Sequence, residues 1–102
     1  MPQGMKDHGV RIPPHEIEAE KALLGSIMLK PQSMGAMVEL IAPDAFYVEK
    51  HAMLYRVMLE LYAKAEPIDL LSLSHALKER KQLQAIGGAS YLTELTQTVP
   101  SA

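Results

Sequence analysis

Apolar residues recur along this chain at helical spacing, and no stretch alternates with a period of two. The longest periodic stretch is 48–64, VEKHAMLYRVMLELYAK. At about 100° per residue, Val48, His51, Ala52, Leu54, Tyr55, Met58, Leu59, Leu61 and Tyr62 fall on one side. Glu49, Lys50, Arg56, Glu60 and Lys64 fall on the other, with Met53 and Val57 among them. The apolar arc covers roughly half the circumference, wider than a surface helix needs. The pattern therefore predicts a central helix with neighbours on more than one side. No glycine or proline interrupts it.

Shorter amphipathic stretches flank it. The first runs over about 16–29, with Ile17, Leu23, Leu24, Ile27 and Met28 on its apolar arc. Glu16, Glu18 and Glu20 crowd its first turns, where the helix dipole favours negative charge. Glu20 falls inside the apolar arc, so it is read as a carboxylate accepting backbone N–H groups from a neighbouring helix start or loop. The alternative is a buried acid serving a site, for which no second acid or ligand is evident. Pro31 opens a second helix carrying Met34, Met37, Val38 and Ile41. The segment 42–47 predicts a tight connection with one helical turn, and Phe46, the only phenylalanine, should plug the core. Asp69 is placed as the N-cap of a helix over about 70–80 that buries Leu70, Leu73, Ala76 and Leu77. Leu83 and Ile86 should dock on the core, and Gly87-Gly88 should form a turn where positive φ costs little. Ser90 is expected to cap a last helix whose apolar face is Tyr91, Leu92, Leu95 and Val99, ended by Pro100. Residues 1–12 read as a flexible tail and 13–102 as one domain, an all-α orthogonal bundle of five to six short helices. Its core should include Leu24, Ile27, Phe46, His51, Tyr55 and Met58.

Composition sharpens this picture. The 102 residues suit one modest core, and with 48% apolar but only 5% aromatic residues that core is built from Leu, Met, Ala and Ile. The absence of cysteine excludes a disulfide scaffold and a cysteine zinc site. No apolar run approaches the roughly 18 residues of a membrane helix. The first residues carry no signal-peptide pattern, so a cytoplasmic protein is the simplest reading. Net charge is −2 and the ten Lys and Arg are scattered, with no basic stripe.

Candidate chemistry is sparse. Gly87-Gly88 is followed by Ala-Ser-Tyr, without the lysine and preceding strand of a phosphate loop. His8, His15, His51 and His75 share no metal-ligand spacing. His51 reads as a hydrogen-bonded core histidine and His75 as a solvent-side residue. Ser72, Ser74 and Ser90 have nothing beside them to activate a nucleophile. The run 78–81, KERK, reads as a solvated helix end. Neither a catalytic nor a cofactor-binding nor a metal site emerges.

The order of segments, however, is specific. RIPPHEIEAEKALLGSIML at 11–29, APDAFYVEKHAMLY at 42–55, EPIDLLSLSHALKERKQL at 66–83 and IGGASYLTELTQTVPSA at 86–102 together resemble the N-terminal domain of bacterial replicative DNA helicases of the DnaB type. Each motif alone is modest, and four in order with the right spacings are specific. Members carry DFY where this chain has Asp44-Ala45-Phe46-Tyr47, so Ala45 is a small departure that keeps the aromatic pair.

The resemblance implies a non-catalytic collar domain. In the family a longer chain continues into a helical hairpin, a linker and a motor domain that uses ATP and Mg²⁺, so these residues should neither hydrolyse ATP nor unwind DNA alone. The domain supports a hexameric ring and contributes to docking of primase and, in some species, the helicase loader. These residues alone should be a dimer or a monomer, with no direct DNA binding. The resemblance places docking near Tyr91, with Glu94 and Gln97 on neighbouring turns; the alternative for Tyr91 is a ring packed on the core. Two rivals stand beside this reading. A free-standing helical adaptor of the replication machinery, from a phage or plasmid, could share the fold. A helix-turn-helix DNA-binding protein would need a basic recognition helix, and SYLTELTQTV has no Lys or Arg.

Overall fold

A computed structural model describes residues 16–99. The expected tail over 1–12, the Pro13-Pro14 pair and Pro100 lie outside them. Five α-helices and two short 3-10 turns make up the described residues, with no strand among them. The helices are α1 (Ile17–Leu29), α2 (Met34–Leu40), α3 (Glu49–Ala63), α4 (Leu70–Glu79) and α5 (Gly88–Thr98). The 3-10 turns, Pro31–Ser33 and Pro43–Ala45, each begin at a proline, whose fixed φ suits the start of a helix.

The central helix is α3, which α1, α2, α4 and the Pro43–Ala45 turn all contact. It buries His51, Ala52, Leu54, Tyr55, Val57, Met58 and Leu61. With neighbours on so many sides, burial wraps further round than the apolar pattern alone suggests. Val57, expected among the polar positions, is buried, and Met53 packs partly against the core. Tyr62, expected on the buried side, is largely exposed because it lies in the last turn at the rim of the core, where its hydroxyl reaches over Gly35. Leu24, Ile27, Phe46, Tyr55 and Met58 all lie in the core as expected. The Phe46 ring sits 5.1 Å from that of Tyr55. The Tyr55 hydroxyl donates to Ile41 O at 2.7 Å and Met37 O at 3.2 Å, satisfying carbonyls at the end of α2. Burial pushes the Tyr55 phenol up from its ordinary pKa.

Helix ends follow local chemistry, with one exception. Asp69 caps α4 by accepting from Ser72 N at 2.8 Å, and this bond holds its carboxyl below the usual range. Ser90 does not cap α5. Gly87, at φ 108°, is the cap, and α5 begins at Gly88, so Ser90 lies exposed inside the helix. Two glycines at positive φ turn the chain straight into the helix, because they reach a conformation closed to serine. Leu70 is also more exposed than expected, being the first residue of α4; buried Ile68 and Leu73 on either side take the core positions instead. Ile17 and Val38 lie exposed for a similar reason, at the first turn of α1 and the outer side of α2.

The most extensive helix pairing is α1 with α5. It depends on Gly25: a Cβ built there would lie 2.1 Å from Leu95 O, inside the contact limit of the α5 backbone. The two backbones can approach so closely only where the side chain is a hydrogen. A Gly25→Ala substitution is therefore expected to destabilise the domain by about 3 kcal/mol or more, since backbone and not a flexible side-chain tip must move. Urea unfolding followed by circular dichroism measures it; a loss under about 0.5 kcal/mol, the range of neutral surface changes, would contradict the close approach.

Candidate functional site

Among the described residues, one carboxylate and one imidazole have no exposure at all: Glu20 of α1 and His51 of α3. Each interrupts an apolar arc of its own helix, and the fold pairs them. Glu20 Oε2 accepts from Tyr47 N at 2.6 Å, and Oε1 accepts from Val48 N at 3.3 Å. Val48 is the N-cap of α3, so the carboxylate sits where the helix presents unpaired N–H groups and the positive end of its dipole. The backbone-acceptor reading of Glu20 is thus correct, and its unforeseen part is the partner. His51 Nδ1 lies 2.7 Å from Glu20 Oε1, and His51 Nε2 lies 2.6 Å from the Tyr91 hydroxyl of α5.

The donors and acceptors of this chain can be assigned. Burial holds the His51 imidazole below its ordinary pKa of 6.5, outweighing the opposing pull of Glu20, so the ring is neutral at pH 7. A neutral imidazole has one N–H and one lone pair. The carboxylate can only accept, so Nδ1 carries the hydrogen and Nε2 accepts from Tyr91 O–H. One continuous run of bonds then links α5, α3 and α1.

Tyr91 is half-buried at the edge of this chain, and burial pushes its phenol pKa up. Its ring stacks on His51 at 5.9 Å between centroids, and Lys50 Nζ lies 3.8 Å over it. Its Cβ packs against Gly87, where an added Cβ would come within 3.0 Å. The ring packs against the core, as one of the two expectations had it, and keeps an outward edge. Glu94, one turn on, pairs with Lys21 of α1 at 2.6 Å, a bond that raises the lysine pKa and lowers that of Glu94. Gln97 lies exposed further along α5. Tyr91, Glu94, Lys21 and Lys50 form one surface patch above a buried hydrogen-bond chain.

The remaining candidates stay apart from it. Gly87 and Gly88 flank the patch as a turn, Ser90 lies exposed just before Tyr91 in α5, and Asp69 caps α4. His75 is exposed and faces Glu79 at 3.4 Å. In the basic run, Arg80 pairs with Glu60 of α3 and donates to Ala76 O at 3.0 Å, so it straps α4 to α3. An open groove of about 820 Å³ lies beside these residues, lined by Leu61, Pro67, Leu71 and Ala76 among others. No group of three or more His, Cys, Asp or Glu among the described residues could hold a metal ion. None of the described helices is long and apolar enough to cross a membrane.

Sequence reasoning treated Glu20 and His51 one at a time. The available signal was that two polar residues each broke an apolar arc, which makes them natural partners for one another. Lys50 and Lys21 carried no such signal, since both fall on polar faces.

A central helix packed by α1, α2 and α4 and tied to α1 and α5 by a buried polar chain defines a small all-α domain. Comparison with known proteins then specifies the kind. A family model described as the DnaB-like helicase N terminal domain matches residues 12–102. The chain is 43% identical over 91 residues to a replicative DNA helicase DnaB of Synechocystis sp., covering 89% of this chain and 10% of that protein. It is 41% identical over 92 residues to the replicative DNA helicase DnaC of Bacillus subtilis, covering 90% of this chain and 20% of that one. The crystal structure of the N-terminal domain of DnaB helicase from Mycobacterium tuberculosis superposes with a TM-score of 0.83 at 36% identity, over 88% of this chain and 65% of that chain. The chain belongs to the DnaB-like helicase N-terminal domain family, and it spans a tenth to a fifth of the helicases it matches.

The neutral buried imidazole sets a pH dependence. In the unfolded chain His51 takes up a proton near pH 6.5, and the folded imidazole resists until lower pH. Below about 6.5 the unfolded state therefore holds the extra proton, and stability falls as pH is lowered. The slope from this one group is at most about 1.4 kcal/mol per pH unit. Asp69 and Glu94, whose carboxyls are held low, act only below about pH 4. Denaturant unfolding at pH 7.5, 6.5 and 5.5 is expected to show this loss in the wild type and its absence in His51→Gln. Equal slopes in the two proteins would contradict the assignment.

Proposed function

We propose that this chain is the non-catalytic N-terminal domain of an ATP-dependent replicative DNA helicase acting in DNA replication. It supports assembly of a hexameric ring in the cytoplasm and presents a surface to primase and, in some species, to the helicase loader. The observation that carries the reading is the family match over 12–102 together with the same fold at a TM-score of 0.83. ATP and Mg²⁺ are assigned to a motor domain elsewhere in the longer protein, and DNA contact is assigned there too.

Docking is assigned to the patch around Tyr91, with Glu94 and Gln97 beside it. A half-buried tyrosine held by His51 and covered by Lys50 offers a rigid amphipathic ring at little entropic cost, a feature shared by interface anchors. The mechanism is geometric: the five-helix core fixes the patch, and the motor supplies the force.

Intact mass spectrometry of the native gene product is expected to give a species several times larger than 11.3 kDa. A product ending near Ala102 would overturn the helicase reading in favour of a free-standing adaptor. In that longer protein, Tyr91→Ala is expected to weaken primase binding by about tenfold or more, or about 1.4 kcal/mol. Unchanged affinity in a folded variant would remove Tyr91 from the docking surface.

A further inference from the structure

We propose that a protein partner docks on this domain by placing an acidic side chain on the Lys50 ammonium, with the Tyr91 ring as the platform that fixes that ammonium. This chemistry belongs to the docking patch assigned above to Tyr91 and depends on that assignment.

Among the lysines and arginines of the described residues, Lys21, Lys50 and Arg80 are half-buried and the others are exposed. Lys21 pairs with Glu94 at 2.6 Å and lies 3.7 Å from Glu18, and Arg80 pairs with Glu60. Lys50 makes no ion pair. Its contact is the face of Tyr91, with Nζ 3.8 Å from the ring centroid. An aromatic face attracts a cation through its quadrupole but carries no net charge, so the ammonium is not neutralised. The ring engages one side of the ammonium, which has three N–H donors, and the other side is left to accept a carboxylate.

The platform is held from both helices. Two consecutive residues of α3 grip the one ring: Lys50 lies over its face, and His51 Nε2 accepts from its hydroxyl at 2.6 Å. On the α5 side Gly87 backs it, where an added Cβ would come within 3.0 Å of the Tyr91 Cβ. A lysine loose in water gives up much rotamer freedom when it is bound, and one already laid on a fixed ring gives up less.

The surroundings favour an acidic side chain over a nucleic-acid backbone. Lys21, the other cation near the ring at 5.9 Å, already carries two carboxylates, Glu94 and Glu18. Lys50 is close enough to Glu94 for its charge to act on that carboxyl. Phosphates following one another along a strand would run against these acids, whereas a single carboxylate aimed at Lys50 need not. The net charge of −2 and the scatter of the basic residues point the same way, since backbone binding draws on several cations at once.

Binding of the longer helicase to primase, measured by fluorescence anisotropy at low salt and at about 0.5 M salt, tests the contact. Lys50→Met keeps a stem of similar length on the ring and removes the charge. It is expected to weaken binding about tenfold at low salt, mainly through slower association, and by less than about twofold at high salt, where the pair is screened. Lys50→Arg keeps the cation and should stay within about threefold of the wild type. Tyr91→Ala should cost less in the Lys50→Met background than alone, because the ring then has no ammonium to hold. Full affinity in Lys50→Met, or a loss that salt does not reduce, while Tyr91→Ala still weakens binding, would overturn the acid contact and leave the docking patch standing. Strict additivity of the two substitutions would overturn the platform role of the ring. No effect of either substitution, or no binding by the wild type, would overturn the patch and this contact with it. A Lys50→Met protein that loses affinity for a single-stranded oligonucleotide and not for primase would assign the cation to phosphate and overturn the proposal.

Discussion

Glu20 carries a carboxylate shut off from solvent, and a buried charge persists only where donors converge on it. Three do. Two are backbone N–H groups at the start of α3, and the third is His51, less than one turn inside that helix. This fixes where α3 begins, how it is rotated and how far it lies from α1. The same rotation places Leu54, Tyr55 and Met58 in the core. His51 passes the constraint on to Tyr91, and α5 is tied to the same point.

The apolar contacts close around this frame. Gly25 lets α1 and α5 meet backbone to backbone, and Leu24, Leu92 and Leu95 fill the space on either side with no exposure. Tyr55 joins α3 to the end of α2 through the Ile41 and Met37 carbonyls. The α4 helix packs on α3 and α5, buries Leu73 and Leu77, and is strapped to α3 by the half-exposed Arg80–Glu60 pair, which contributes little on its own. The patch assigned to docking lies where α1, α3 and α5 share one hydrogen-bond chain, so its tyrosine is already held before a partner arrives.

Much of this was legible in the sequence, because it is local. Helical period, proline starts, the Asp69 cap and the lone Phe46 each act within a few residues. The resemblance of four ordered motifs to the DnaB-type domain also came from the sequence, and the family match bears it out. The misreadings of exposure share one cause. Leu70, Val38 and Tyr62 lie on apolar arcs but at helix ends or outer faces, and the pattern cannot say where a neighbouring helix stops. Ser90 looked like a cap because its side chain suits one, whereas the backbone of Gly87 set the start of α5 earlier. The central polar chain joins residues 31 and 40 positions apart. A sequence shows such misfit residues singly, and only the tertiary fold shows that they satisfy each other.

The account depends on one proton: that on Nδ1 of His51, with the Nε2 lone pair held by Tyr91. Long-range proton–nitrogen correlation NMR on the imidazole at pH 7.5 reads this directly. A neutral ring protonated at Nδ1 is the result the structure requires. A ring protonated at Nε2 alone, which sets the Nδ1 lone pair against the Glu20 carboxylate, would contradict the link that fixes α1, α3 and α5, and a charged ring would contradict the neutral imidazole.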